Sequence, residues 1–196
     1  MEQGTDEWKL ARLGKVTASR VSDARAKTGT AARANYLADI ITERLTGSPI
    51  ESFSNAYMEW GTQNEPLARA AYEIKTSIWV EQVAIVDHPT IPGFAASPDG
   101  LVWTDGLLEI KCPKTSTHLN WLMKGVVPSE HKNQMLAQLA CTGRKWVDFL
   151  SFDPRLPEHL QMFVVRFEPT PKDIDDLEAD VMTFLAEVDT MQRRLG

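Results

Sequence analysis

A short stretch at residues 97–113, SPDGLVWTDGLLEIKCP, places three charged side chains where a strand built only for packing would carry apolar ones. Asp99 lies in a Pro-Asp-Gly turn, and Glu109 and Lys111 stand two residues apart further along. Successive side chains of a strand point to opposite faces, so Glu109 and Lys111 share a face, roughly 7 Å apart. The Asp105-Gly106 pair can adopt the positive φ of a tight turn. The stretch therefore predicts a hairpin that brings both carboxylates and the ammonium together.

Two carboxylates beside one ammonium suit a hard divalent cation. Mg²⁺ prefers oxygen ligands and keeps several waters, so one or two carboxylates suffice. We expect Asp99 and Glu109 to supply those oxygens, with the backbone carbonyl of Ile110 as a further ligand. Lys111 would orient or help to deprotonate the attacking water and neutralise charge that develops on a phosphate. The pattern favours metal-assisted phosphodiester hydrolysis, although each element alone is also common in ordinary turns and solvated strands.

The length and the charge distribution set limits on the fold and on the partner. A chain of 196 residues fits one core, so we expect residues 1–196 to form a single domain. The net charge of -6 is uneven, because the acidic surplus lies in 51–104 and 171–196. Residues 1–50 and 105–150 carry more basic than acidic residues, which would allow contact with a polyanion. A mixed, solvated surface explains the charge alone equally well.

The sequence gives no sign of a membrane or secreted protein. No apolar run approaches the ~20 residues that span a bilayer, and the N-terminal MEQGTDEWKL is charged rather than signal-like. Cys112 and Cys141 cannot form a disulfide framework, which favours a reducing compartment. We expect a cytoplasmic protein with no membrane partner.

Hydrophobic periodicity predicts helices in the first half of the chain and strands in the second, with helices between and after the strands. Thr17 is a good N-cap residue for the second helix, and Pro66 should mark a first turn or a kink in the fourth. The predicted helices cover 6–13, a segment from Ala18, 33–45, 57–74, 131–141 and 171–195. The predicted strands cover 79–86, 95–102, 107–112, 146–152 and 160–167. The fold class is α/β (α+β), with a mixed central β-sheet flanked by helices.

Five segments appear in the order and spacing of one known family. They are RLGKVTASR (12–20), WGTQNEPLARAAYE (60–73), SPDGLV (97–102), LLEIKCP (107–113) and HKNQMLAQLACTG (131–143). From about Trp8 to about Phe167 the chain resembles the phage lambda exonuclease or YqaJ-type viral recombinase nucleases, a branch of the PD-(D/E)xK superfamily. The resemblance implies a restriction-endonuclease-like core.

The resemblance also implies roles for individual residues. Asp99 and Glu109 match metal ligands, with Lys111 beside them. Glu65 matches an acidic residue near a second metal position or the attacking water, and Gln138 matches a glutamine on the helix that completes the site.

Two further matched positions concern the DNA end. Arg12 matches an arginine that receives the terminal 5′-phosphate, and Ser19 matches a serine beside it. A guanidinium offers a planar fork of donors to phosphate, and a serine near a helix start adds hydroxyl and backbone N–H groups. Without the resemblance, Arg12 would be read as a surface residue and Ser19 as part of a capping turn.

The activity implied is a Mg²⁺-dependent 5′→3′ exonuclease, with Mn²⁺ as a substitute ion. Such enzymes digest one strand of duplex DNA from its ends and leave 3′ single-stranded overhangs for phage-type homologous recombination. The resemblance further implies a ring-shaped homotrimer, a single-strand annealing protein as a candidate partner, and a bacterial or phage-encoded origin. Two alternatives stay open: an endonuclease of the same fold for repair or restriction, and a non-catalytic protein that binds DNA ends.

Overall fold

This computed structural model describes residues 1–50 and 56–196, which contain seven α-helices and eight β-strands. The helices are α1 (Asp6–Arg12), α2 (Val21–Ala24), α3 (Ala31–Thr46), α4 (Ala56–Thr76), α5 (Thr115–Lys124), α6 (Ser129–Thr142) and α7 (Pro171–Leu195). The strands are β1 (Val16–Thr17), β2 (Val80–Glu81), β3 (Val86–Asp87), β4 (Phe94–Ala96), β5 (Gly100–Val102), β6 (Gly106–Lys111), β7 (Trp146–Phe152) and β8 (Met162–Phe167). None of the described helices is long and apolar enough to cross a bilayer.

The strands form two mixed sheets rather than the single sheet expected from the sequence. The larger sheet has the order β2-β5-β6-β7-β8, in which only β6 and β7 are parallel. The smaller sheet has the order β1-β4-β3, with β1 parallel to β4. The predicted class of a mixed sheet flanked by helices is confirmed, and its bounds for β7 and α7 agree with the structure.

The two central strands are buried because helices cover both faces of the larger sheet. On one face Leu108 and Ile110 of β6 pack in a cluster with Ala68 and Tyr72 of α4. On the other face Leu107, Phe149 and the α6 residues Met135 and Leu139 form a second cluster. Glu109 and Lys111 alternate with Ile110, so they belong to the face that α6 covers.

Two predicted strands are each divided between the two sheets. Segment 79–86 contains β2 of the larger sheet and overlaps β3 of the smaller one, and segment 95–102 overlaps β4 and contains β5. Pro98 explains the second break, because a proline has no N–H for a ladder bond and fixes φ. The chain therefore leaves one sheet before Asp99 and joins the other immediately after it.

The hairpin between β5 and β6 forms as predicted, but its turn has a different conformation. The positive φ falls on Trp103, at 49°, rather than on Asp105 or Gly106. Gly106 is needed for space instead, since a Cβ there would lie 2.1 Å from ring carbons of Trp146. The turn is stabilised by Arg144, whose Nη1 donates to the carbonyls of Val102 (3.2 Å), Trp103 (2.9 Å) and Gly106 (2.8 Å).

Two helical predictions need correction, and one helix was not predicted. Of the two alternatives for Pro66, the first turn is wrong, because α4 begins ten residues earlier at Ala56 and continues through the proline, and the kink stays a prediction. The segment after Thr17 starts as a 3-10 turn at Ala18–Arg20 before α2, and the Thr17 side chain makes no cap hydrogen bond. Helix α5 was not predicted, since one of its two buried positions is the polar His118 and no apolar stripe reveals it.

Candidate active site

The side chain of Asp99 contacts β6 just beyond the point where the neighbouring strand β5 begins. The last pair between β5 and β6 is Gly100 with Leu108, so the β6 backbone beyond it has no β5 partner on that side. There the amide N–H of Ile110 donates to Oδ2 of Asp99 at 2.7 Å. The N–H and C=O of one strand residue point to the same side, so the Ile110 carbonyl also faces Asp99. The carboxylate of Asp99 and the carbonyl of Ile110 are therefore placed so that both could bind one cation.

Glu109 is a fully buried carboxylate, with a side-chain exposure of 0%. Gln134 donates through Nε2 to Oε1 at 2.7 Å, and Gln138 donates through Nε2 to Oε2 at 2.5 Å. The ammonium of Lys111 forms an ion pair with Oε1. Since each carboxylate oxygen has two acceptor positions, Oε2 retains one position for a further ligand.

Gln134 was missed by the sequence analysis, which singled out only Gln138. The two residues are four apart on α6 and therefore lie on one face of the helix. The signal available in the sequence was this i, i+4 spacing of amides opposite a strand carboxylate. Gln138 keeps one further feature, because its Oε1 is buried and has no hydrogen-bond partner among the described residues.

Burial and the neighbouring charges raise the pKa of Asp99 well above its usual range. Partial burial is the larger cause, and repulsion from Glu109 is the next. Burial alone would lower the pKa of Lys111, but attraction to Glu109 and Asp99 outweighs it and raises that pKa. A lysine kept protonated in this way suits the stabilisation of negative charge.

These residues fit a divalent cation. A cation would relieve the repulsion that raises the pKa of Asp99, and the orphaned Oε1 of Gln138 could accept from a water beside it. Within 1–50 and 56–196, no three His, Cys, Asp or Glu side chains form a closed metal site. An ion would thus be bound by Asp99, Glu109, the carbonyl of Ile110 and water, as hard cations accept.

A cavity of about 450 Å³ opens beside these groups. Its lining includes three of the proposed site residues, Glu65, Asp99 and Lys111, together with Ile110. Glu65 enters from α4, where its Oε1 accepts from Nη2 of Arg69 at 2.5 Å. The structure thus places Glu65 of α4 on the same cavity as Ile110 and Lys111 of β6.

The remaining wall of this cavity is partly aromatic. It includes Trp121 and His131, whose rings meet edge to face at 5.4 Å. Cys112 also lines it, and burial raises the pKa of its thiol to about 12. A thiol with that pKa is protonated at neutral pH, which argues against a role for Cys112 as a nucleophile.

Arg12 and Ser19 lie within hydrogen-bond distance of each other, and Ser97 joins them. Arg12 donates through Nη2 to Ser19 Oγ at 3.4 Å and through Nη1 to Ser97 Oγ at 3.3 Å. The guanidinium lies 4.1 Å from the ring centroid of Trp8, whose Nε1 donates to Ser97 Oγ at 3.0 Å. Ser97 was missed because a serine before a Pro-Asp-Gly turn has an ordinary explanation.

Arg12 forms no ion pair with a carboxylate of the described residues, although the charge of Glu43 attracts it at longer range. Neighbouring Lys15 pairs with Asp87 at 2.6 Å and Arg20 pairs with Asp23 at 2.6 Å. Among the ion pairs formed within the described part of the chain, none involves Arg12, and partial burial lowers its pKa. A partly desolvated guanidinium without a carboxylate partner is suited to bind an anion.

Comparison with known proteins gives one family and several structures. The model of the YqaJ-like viral recombinase domain matches residues 7–145. The alkaline exonuclease LHK-Exo from Laribacter hongkongensis is 50% identical, with a TM-score of 0.91 over 97% of this chain and 96% of that chain. Its complex with dAMP has the same identity and coverage and a TM-score of 0.92.

A phage related exonuclease from Haemophilus somnus 129PT is 13% identical, with a TM-score of 0.74 over 93% of this chain and 96% of that chain. At that identity the similarity concerns the fold alone. No curated protein matches the chain.

Proposed function

This chain belongs to the family of YqaJ-like viral recombinase domains, and we propose that it is a Mg²⁺-dependent 5′→3′ exonuclease acting on duplex DNA ends. The nuclease activity itself is supported by 50% identity to an alkaline exonuclease over nearly the whole of both chains. The ion, the polarity and the product are the proposal. The observation that carries it is the convergence of Asp99, Glu109 and Lys111 beside a cavity whose other wall holds Glu65.

Each residue has a role that follows from its contacts. A divalent cation at Asp99, Glu109 and the Ile110 carbonyl would supply Lewis-acid polarisation of the scissile phosphate. Lys111, protonated and partly exposed at 28%, donates toward the charge that develops on the phosphate oxygens. Gln138 presents its unpartnered Oε1, which can accept from the attacking water and so orient it.

The polarity is proposed from the second cluster of residues. Arg12, Ser19 and Ser97 form a pocket for a terminal phosphate, referred to below as the phosphate pocket. Ser97 and Asp99 are two residues apart, so their Cα atoms are separated by at most about 7 Å. A 5′-phosphate bound at Ser97 would then place a nearby phosphodiester at Asp99. That arrangement favours stepwise release of short products from a 5′ end.

The test uses linear duplex DNA labelled at either end of one strand. With Mg²⁺, a 5′ label should appear at once in mononucleotides, while a 3′ label should remain in long fragments. Chelation of the cation by EDTA should stop degradation of both labelled substrates, and Mn²⁺ should restore it. Asp99→Ala and Glu109→Ala should be inactive with unchanged circular dichroism. Near-normal activity of either variant would remove the metal assignment.

Closed circular duplex separates the alternatives. An exonuclease leaves it intact, whereas cleavage would favour an endonuclease of the same fold. Binding to DNA ends with no cleavage of any substrate would favour the non-catalytic alternative. The buried Glu109 argues against that alternative, because three charges kept together without a catalytic use cost stability.

The proposal includes the assembly and the setting. From the chain length and the two cysteines we propose one domain and a cytoplasmic location. By resemblance we propose a ring-shaped homotrimer around DNA and a single-strand annealing protein as partner for the 3′ overhangs. Light scattering coupled to gel filtration tests the trimer directly, and a monomeric mass at micromolar concentration would contradict it.

A further inference from the structure

Arg69 of α4 is a buried cation in contact with two of the acidic residues of the candidate site. Its side chain is only 12% exposed, and Nη2 donates to Oε1 of Glu65 at 2.5 Å. The same Nη2 donates to the backbone carbonyl of Asp99 at 3.2 Å. With the amide of Gln82 turned so that its oxygen faces the guanidinium, that oxygen accepts from Nη1 at 2.5 Å and from Nη2 at 3.1 Å. One side chain thus joins three separate segments of the chain.

The pair with Glu65 differs from an ordinary helix-surface pair. Lys172 and Asp176 of α7 have the same i, i+4 spacing at 2.7 Å, but their side chains are 78% and 55% exposed. Such a pair is screened by water, whereas the side chains of Arg69 and Glu65 are only 12% and 34% exposed and are screened less. The Nε of Arg69 is also buried without a partner among the described residues. A buried N–H without a hydrogen-bond partner costs stability, so the presence of the guanidinium here indicates that its position is required.

The contacts specify what that position controls. Arg69 touches Asp99 only through the backbone carbonyl, so it fixes where the Asp99 peptide lies rather than neutralising the carboxylate. It occupies Oε1 of Glu65, a residue that lines the cavity, and leaves Oε2 of that carboxylate outside this contact. The Asp99 carboxylate is in turn fixed from the other side by the N–H of Ile110.

We propose that Arg69 is a positioning residue that sets Glu65 and Asp99 in one mutual geometry for binding the divalent cation. This inference rests on the proposed function, because it assumes that Asp99 binds the ion directly and that Glu65 acts through a water on the ion or at a second metal position. A planar fork of donors can join the carboxylate, the carbonyl and the Gln82 amide together, whereas a lysine ammonium at the end of a flexible chain has no such fixed fork. Side chains that orient metal ligands commonly change metal affinity or activity by about ten- to a hundredfold when removed.

The experiment measures the Mg²⁺ requirement as well as the rate. For wild type, Arg69→Lys and Arg69→Gln, Mg²⁺ binding is followed by calorimetry without DNA, and initial rates on linear duplex are measured across Mg²⁺ concentrations. Arg69→Gln should weaken Mg²⁺ binding about tenfold or more, and Arg69→Lys should recover only part of that loss. Lys172→Gln, which removes the exposed pair, serves as the matched control and should change neither quantity.

A double-mutant cycle compares four proteins, so its result does not depend on whether a single variant folds correctly. If Arg69 acts through Glu65, the loss of Mg²⁺ affinity in Arg69→Gln with Glu65→Gln should be smaller than the product of the single losses. Full retention of Mg²⁺ affinity in Arg69→Lys would overturn the role of the fork. Multiplicative losses in the cycle would overturn the coupling to Glu65. Failure of the proposed function would look different, since the wild type itself would then lack Mg²⁺-dependent cleavage.

Discussion

Replacing Arg12 with alanine should remove most of the preference for duplex ends that carry a 5′-phosphate over ends that carry a 5′-hydroxyl. The guanidinium lies on the Trp8 ring and donates to Ser19 and Ser97, so it is oriented before any DNA arrives. No carboxylate within the described residues neutralises it by an ion pair, which leaves its charge available for an anion.

The expected size of the effect follows from the strength of a charge-assisted hydrogen bond. Such a bond contributes about 1.5–3 kcal/mol to binding. Because Arg12 is partly buried, its interaction with phosphate is less screened than that of an exposed arginine. A middle value of about 2 kcal/mol corresponds to about thirtyfold, at about 1.4 kcal/mol for each factor of ten.

The assay compares initial rates on two linear duplexes that differ only in the terminal 5′-phosphate. The ratio of these rates is measured for wild type, Arg12→Ala and the control Lys15→Ala. Lys15 is a basic residue three positions away, but its charge is paired with Asp87. The ratio should fall about thirtyfold in Arg12→Ala and remain near the wild-type value in Lys15→Ala. Mg²⁺ binding should not change in either variant.

Ser97 provides a graded version of the same test. Its hydroxyl accepts from both Arg12 and Trp8, so Ser97→Ala should reduce the phosphate preference by less than Arg12→Ala does. A wild-type enzyme with no preference, or an Arg12→Ala variant that keeps it in full, would refute the assignment. An equal loss in Lys15→Ala would show that general attraction to DNA, and not the phosphate pocket, sets the rate.

Three other predictions follow from single contacts. Lys111→Ala should still bind Mg²⁺ in calorimetry, because lysine is not a ligand, while turnover should fall by a factor on the order of 10². Gly106→Ala should lower the free energy of unfolding in urea by about 1–3 kcal/mol, since its Cβ would overlap the Trp146 ring. Burial alone would raise the pKa of Asp153, but hydrogen bonds from Arg155 and a threonine lower it from 3.8 to about 2. The ionised carboxylate therefore adds stability above about pH 4 that is lost as the pH falls toward 2. The destabilisation of Asp153→Asn in urea should shrink over that interval, and a difference constant with pH would contradict it.

The parts of the fold that the sequence predicts best are those governed by local rules. Helix α7 has a capping box at Thr170 and an apolar stripe that includes Leu177, Phe184 and Val188, and its predicted bounds agree with the structure. Strand β7 is buried throughout, and aromatic residues, Trp146 and Phe152, stand at its two ends, although Asp148 and Ser151 interrupt its apolar residues. The allocation of short strands to two sheets is not a local property, since it depends on which distant segment offers a free edge.

The residues of the candidate site also divide into those that local rules predict and those that depend on distant segments. Asp99, Glu109 and Lys111 lie within thirteen consecutive residues, and strand alternation with one turn is enough to predict that they meet. Arg69 and Ser97 could not be assigned from the sequence, because an arginine in a helix and a serine in a turn acquire their roles only through contacts between segments.

In helix α6, the packing of apolar residues can be predicted from the sequence, and this packing determines where the polar residues of the helix point. Met135 and Leu139 are four residues apart and bind the helix to the sheet through the cluster that contains Leu107. Gln134 and Gln138 each precede one of these apolar residues, so packing the helix also directs both amides at Glu109. A carboxylate with no exposure would be costly without such donors, and the same donors leave one acceptor position of Oε2 for a cation. The apolar contacts between α6 and β6 therefore stabilise the fold and at the same time prepare the proposed ligand.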